Sequence, residues 1–192
     1  MADEKKVLRV NGRADWHRWL EANHSISPGV WLVLAKKRSG GKGIAYGDAL
    51  EEALSFGWID GRANRGDEGS YKVMFTPRRR GSQWSGPNKH RVEGLIERGL
   101  MAPAGMAKVE AAKLDGSWYL LEGVEQEVVP EDLMKALENA PGAKDAFFGM
   151  PSSHRKRYLF WIKEAKRPET RTRRIEGTIS MALGERRGRN KG

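Results

Sequence analysis

Trp58-Ile59-Asp60-Gly61-Arg62-Ala63-Asn64-Arg65-Gly66-Asp67-Glu68-Gly69-Ser70-Tyr71-Lys72-Val73-Met74-Phe75-Thr76 is the stretch on which the fold turns. It opens on a short strand-like run, Trp58 to Gly61, crosses the polar turn Arg65-Gly66-Asp67-Glu68-Gly69, and enters a second run, Tyr71 to Thr76. In that second run Tyr71, Val73 and Phe75 share one face, because side chains alternate along a strand. Upstream, Val30-Trp31-Leu32-Val33-Leu34-Ala35 is β-rich and too apolar for an exposed edge, so it reads as a central strand. Lys36 to Gly43 is polar and glycine-rich, a hairpin or loop. Between loop and turn, Tyr46 to Phe56 carries Leu50, Ala53 and Leu54 at helical core spacing, with Gly57 at a C-terminal stop. Further out, residues 14–22 predict a short helix with Asp15 as N-cap and Trp16, Trp19 and Leu20 on one stripe.

From Ser85 the pattern is helical. Ser85 caps a first helix, with Gly86 and Pro87 in its opening turn and Val92, Leu95 and Ile96 on its stripe. Gly99 ends it. A second helix runs from Pro103 to Leu114, and a connector over 117–129 follows, anchored by Trp118, Tyr119 and Leu120. Prolines at 130, 141 and 151 bound short helices at 131–139 and 143–148. Two longer ones cover 153–165 and 169–183. The fold class expected is α+β, with a small antiparallel sheet in the N-terminal half packed with helices and a helical C-terminal half. One domain over 1–185 is expected, sheet-bearing to about residue 84 and helical over about 85–185. Residues 186–192 read as a disordered basic tail. The aromatics Trp31, Trp58, Phe75, Tyr158 and Trp161 are expected to share one core.

Composition narrows the function. The 192 residues contain no cysteine, which excludes disulfides, thiolate nucleophiles and iron–sulfur clusters. No apolar run approaches the roughly 18 residues of a membrane span, so no membrane insertion is expected. Charges crowd the N-terminus too early for a signal peptide, and a cytoplasmic location is expected. The net charge of +10 favours phosphate-rich polymers or acidic ligands. Residues 77–91 hold five Lys/Arg and no acid, and residues 163–192 hold ten Lys/Arg against four Glu. Charge runs of this kind are equally what solvated helix faces look like.

Familiar catalytic fingerprints are missing. Gly40-Gly41-Lys42-Gly43 lacks the spacing of a phosphate loop, and no dinucleotide or nucleophile-elbow motif occurs. His17, His24, His90 and His154 are scattered with no paired spacing, so neither metal nor cofactor is expected. The densest chemistry joins Trp58, Asp60 and Arg62 to Arg78, Arg79, Trp84, Ser85 and Asn88. A strand-end aspartate, several arginines, an indole and a serine-capped helix start make up the parts of an anion site. The same residues suit a structural role, with Asp60 pairing an arginine and Trp84 packing. No catalytic residue is identified: an aspartate beside arginines is a poor general base. The helix behind Ala165-Lys166-Arg167-Pro168-Glu169-Thr170-Arg171-Thr172-Arg173-Arg174-Ile175 is basic, yet it is also an amphipathic helix with a favourable Glu169–Arg173 pair.

Ser55-Phe56-Gly57-Trp58-Ile59-Asp60-Gly61, Phe75-Thr76-Pro77-Arg78, Trp84-Ser85, Asn88-Lys89, Met101-Ala102-Pro103-Ala104-Gly105 and Ala165-Lys166-Arg167-Pro168-Glu169-Thr170-Arg171 resemble the bacteriocin-protection, YdeI or OmpD-associated family. The likeness extends over roughly Tyr46 to Leu183. It implies protection against bacteriocins or cationic peptides and association with an outer-membrane porin, and it brings no reaction or cofactor. A strongly basic chain repels cationic peptides, which favours an indirect stress role over peptide capture. Three functions stay open: a binding or stress-protection protein, a small enzyme or binder acting on an anionic molecule at the Asp60/Arg78/Trp84 cluster, and a nucleic-acid-associated protein of weak, non-specific affinity. Partners are an unknown small anionic ligand or a protein.

Overall fold

The computed structural model describes residues 6–36, 43–67 and 69–184. Four strands, β1 (Val7–Leu8), β2 (Val30–Ala35), β3 (Trp58–Arg65) and β4 (Ser70–Pro77), form one sheet in the order β1-β2-β4-β3. β2 and β3 flank β4 antiparallel, with Leu32 opposite Val73 and Asp60 opposite Phe75. The sheet is mixed rather than wholly antiparallel, because β1 lies parallel to β2 through Val7–Trp31 and Leu8–Leu32. Two residues carry no alternation, so nothing local announces that edge. Glu68 of the turn, residues 37–42 of the glycine-rich loop and the tail at 186–192 lie outside the described residues.

β3 does not stop at Gly61 but runs on to Arg65, and the register shifts between Asp60 and Ala63. Gly61 and Arg62 form a bulge, in which extra residues on one strand bend it without ending its pairing. Asp60 is therefore a mid-strand residue.

Two helices, α1 (Arg13–Asn23) and α2 (Tyr46–Ser55), supply Trp16, Leu20, Ala49, Leu50, Ala53 and Leu54 to a core shared with Val30, Leu32, Leu34, Val73 and Phe75. Trp16 is fully buried, donates its indole N–H to Ala49 O at 3.0 Å and stacks on Trp19 at 5.2 Å. Asp15 is not the N-cap, which is Gly12. It sits within the first turn and reaches back to accept the Asn11 N–H at 3.1 Å, where a carboxylate meets the positive end of the helix.

Two further helices, α3 (Gly86–Glu97) and α4 (Pro103–Leu114), add Val92, Leu95, Val109 and Ala112 to the same core. α4 sits hard against the end of α2. The Ala102 N–H donates to Ser55 O at 3.1 Å, and a Cβ on Gly105 would lie 2.1 Å from that carbonyl oxygen. Only glycine permits that approach.

Residues 1–118 make one compact unit and 119–192 a second. The change from strand to helix near residue 85 does not mark the division, because the apolar faces of α3 and α4 are buried with the sheet. The second unit holds α5 (Glu131–Asn139), α6 (Ala143–Phe148), α7 (Ser152–Lys163) and α8 (Pro168–Ala182). Its core is Leu133, Leu137, Ala143, Phe147, Tyr158, Leu159, Ile162 and Ile175. The aromatics expected to share one core are divided: Trp58 and Phe75 belong to the first, Tyr158 and Trp161 to the second. Among the described residues no helix is long and apolar enough to cross a membrane.

Candidate functional site

β4 ends at Pro77, and the next residue turns inward. The Arg78 N–H donates to Gly57 O at 2.9 Å, and its side chain lies over the Trp84 ring, guanidinium carbon 3.6 Å from the centroid. Arg78 is only 4% exposed and Trp84 1%. Nη1 donates to Gln83 O at 3.0 Å, while Nε is buried with no hydrogen-bond partner. Burial draws the guanidinium down to about 10, with Asp60 opposing the fall, so the charge persists at neutral pH. A buried cation with an idle donor is costly in a folded chain unless an anion answers it.

Arg78 and Trp84 line a cavity of about 130 Å³ together with Arg79, Arg80, Ser82, Lys108, Asp115 and Ser117. Four cations face one carboxylate. The Asp115 carboxyl is held below the usual carboxylate range by Ser117, whose N–H donates to it at 3.0 Å, while the Ser117 hydroxyl is buried without a hydrogen-bond partner. Arg80, at 3.8 Å, adds a weaker pull. Behind Trp84, the Trp118 ring lies 5.0 Å away and tilted, with the Lys89 and Lys113 ammonium groups each 5.4 Å from its centroid. The two indoles thus sit inside a positive field.

Of the eight residues singled out from the sequence, Arg78, Arg79 and Trp84 line this cavity; Trp58, Asp60, Arg62, Ser85 and Asn88 do not. Trp58 is a core residue whose indole N–H donates to His24 O at 3.1 Å. Arg62 lies over the exposed face of the sheet, 5.2 Å above the Trp31 ring. Ser85 occupies the N-cap of α3 without a side-chain capping bond, and Asn88 donates its N–H to Ser85 O at 3.0 Å. Asp60 accepts the Tyr46 hydroxyl at 2.8 Å. Lys108, Asp115 and Ser117, which complete the cavity, come from α4 and the turn after it. No spacing links them to Arg78, so nothing local marks them.

The Tyr46–Asp60 bond has a pH signature. Burial, then the hydrogen bond to Asp60, push the phenol from 10 up to about 12. A raised folded value means that this stabilisation is complete below pH 10 and is lost as pH rises through about 12. Spectrophotometric titration of the tyrosines should show a late step near pH 12 that disappears in Tyr46→Phe and moves to lower pH in Asp60→Asn. An unchanged late step in Tyr46→Phe would refute the assignment.

In the second unit several cations are engaged by the protein's own acceptors. Arg171 grips Asp132 through two bonds of 2.6 and 2.9 Å, Arg155 pairs with Glu127 at 2.5 Å, and Arg174 bonds to Trp161 O. Arg157, Tyr158, Phe160, Trp161, Glu164, Gly177 and Met181 line an apolar groove of about 450 Å³ between α7 and α8.

Comparison with known proteins follows the same division. One family model, described as Domain of unknown function (DUF8412), matches residues 8–108, wholly within the first unit. A second, described as Bacteriocin-protection, YdeI or OmpD-Associated, matches residues 128–184, wholly within the second. The Ala165–Arg171 motif lies in the latter match, and the motifs from Ser55 to Gly105 lie in the former. No curated protein and no solved structure matches the chain. Through residues 8–108, more than half of its length, the chain belongs to the family described as Domain of unknown function (DUF8412), and at residues 128–184 it carries a bacteriocin-protection, YdeI or OmpD-associated domain.

Proposed function

We propose that this protein is a binding protein for a small anionic molecule, taken up at the Arg78 cavity of the first unit. The observation that carries this reading is Arg78 itself, a guanidinium 4% exposed, with Nε unpartnered, lining a cavity beside Arg79, Arg80 and Lys108. A volume of about 130 Å³ suits a phosphate, sulfate or carboxylate group with the rest of the ligand outside. The bound group would accept from the arginines, and Asp115 would hold Arg80 in place. Among the described residues that line the cavity there is no histidine, and its one carboxylate, Asp115, is held too low to serve as a good base, which favours binding over catalysis there. The YdeI or OmpD-associated domain supplies protection against bacteriocins as the setting, with the first unit as the ligand sensor. Nucleic acid is at most a weak, non-specific partner, because Arg171 and Arg174 of α8 are engaged with the protein's own acceptors.

Calorimetry against phosphate, sulfate, acetate and mononucleotides tests this. Wild type should bind at least one of them, and Lys108→Ala and Arg79→Ala should each weaken it about tenfold, as loss of a charge-assisted contact does. Both residues are exposed, so the melting temperature should hold. Equal affinity in both variants, or no binding to wild type, would end the proposal.

A further inference from the structure

We propose that a different cavity in the first unit is a general-base hydrolytic site for a small carboxylic ester, with His17 as its base. This cavity, about 520 Å³, is lined by His17, Glu21, His24, Ser55, Phe56 and the segment from Gly99 to Ala104. Two imidazoles, 7 residues apart on and just beyond α1, line it and pack against the Phe56 ring, their centroids 5.2 and 5.3 Å from its own.

The first imidazole is oriented as a base needs to be. His17 Nδ1 lies 2.7 Å from Glu52 Oε2, and Glu52, 8% exposed, is bound on its other oxygen by Arg13 Nε at 2.5 Å. A carboxylate paired with a guanidinium only accepts, so Nδ1 carries the proton and donates it. When the ring is neutral the lone pair is then on Nε2, and the ring lines the cavity. The charged groups around this pair are Arg13 and Glu21 on α1, Asp48 and Glu51 on α2, His24 after α1 and Arg98 after α3. Arg13 also reaches Asp48 at 3.5 Å and Glu51 at 3.2 Å, and Arg98 meets Glu51 at 3.5 Å. Those acids hold Arg13, and Arg13 holds Glu52.

The start of α4, which also lines the cavity, supplies the complementary group. α4 starts at Pro103, and its cap, Ala102, has no side-chain acceptor to offer. The Ala104 N–H, in the first turn, therefore has no partner within the helix and stands at its positive end. Phe56, Leu100, Met101 and Pro103 give the apolar wall for an acyl chain. Base, orienting carboxylate, oxyanion donor and apolar wall are the parts that acyl transfer requires.

The step balances without a cofactor. His17 Nε2 takes a proton from water as the water oxygen bonds to the ester carbonyl carbon, and the resulting oxyanion faces the Ala104 N–H. Collapse breaks the bond between that carbon and the leaving oxygen. The imidazolium returns its proton to that oxygen, leaving an acid and an alcohol. Glu52 is a positioning residue that never touches substrate.

p-Nitrophenyl butyrate is the probe, with release of p-nitrophenolate by the full chain followed at constant pH. Wild type should turn it over with saturation, and His17→Ala and His17→Gln should each lower kcat/KM about a hundredfold or more. Glu52→Gln should lower kcat about tenfold or more at unchanged KM and alter the nitrogen-15 tautomer signature of His17. His90→Ala and His154→Ala should match wild type, and the wild-type rate should fall in D2O. Should His17→Ala fail to fold, His17→Gln decides. A wild-type rate equal to that of free imidazole, full activity in His17→Gln, or equal rates in H2O and D2O would each overturn the proposal.

Discussion

Replacing Gly105 by valine is expected to destabilise the first unit by about 4 kcal/mol or more, at the extreme of what single substitutions do. The reason lies in backbone geometry. A Cβ at this position would stand 2.1 Å from Ser55 O and 2.7 Å from Ser55 C, and neither atom belongs to a side chain that could rotate away. α4 would have to lift off α2, breaking the Ala102–Ser55 hydrogen bond and uncovering Val109 and Ala112, both now buried. Gly94 in α3 is the control, since a Cβ there meets nothing within 4 Å. Gly94→Ala should be neutral or gain up to about 1 kcal/mol from helix propensity. Urea denaturation followed by tryptophan fluorescence measures both. A Gly105→Val midpoint equal to wild type would show that the two helices do not touch at Ser55 and Gly105.

The second large effect is expected at Phe147, fully buried in the core of the second unit. Phe147→Ala should cost about 3–5 kcal/mol, the transfer free energy of the ring plus the cavity it leaves. Its neighbour Phe148 packs edge-on against it, centroids 5.5 Å apart, but is 45% exposed. Phe148→Ala should therefore cost well under half as much, because much of its surface already meets water. Calorimetric melting of the two variants would separate them. Equal losses would mean that α6 turns both phenylalanines equally toward the core.

The helices are the most legible part of the chain. Pro130, Pro141 and Gly142 bracket α5 and α6, and Pro103 and Gly116 bracket α4, so their bounds follow from residues that cannot continue a helix. The alternation in Tyr71–Thr76 and the apolar run Val30–Ala35 locate β4 and β2 for the same local reason. β1 escapes a local reading because two residues show no period. The bulge at Gly61 and Arg62 escapes it because the bulge depends on β4 alongside. Asp15 reads as a cap because an aspartate in the first helical turn and one at the cap look alike until the chain before them is placed.

The same boundary runs through the candidate sites. Arg78, Arg79 and Trp84 stand out because they crowd one short segment, and local charge density is visible in a string of residues. Lys108, Asp115 and Ser117 face them only because Gly105 lets α4 close on the end of α2. His17 and His24 look like scattered histidines because Glu52, which orients the first of them, lies 35 residues away on another helix. Residues within a turn or a strand of one another mark the helices, β2, β4, the basic charge and the α+β class, whereas β1 and the far end of β3 depend on the strands alongside them. The tertiary structure alone decided which helices share a core with the sheet and which donors were left without acceptors. It also decided which ionisable groups meet across a cavity, because close approach and burial are properties of segments distant in the chain.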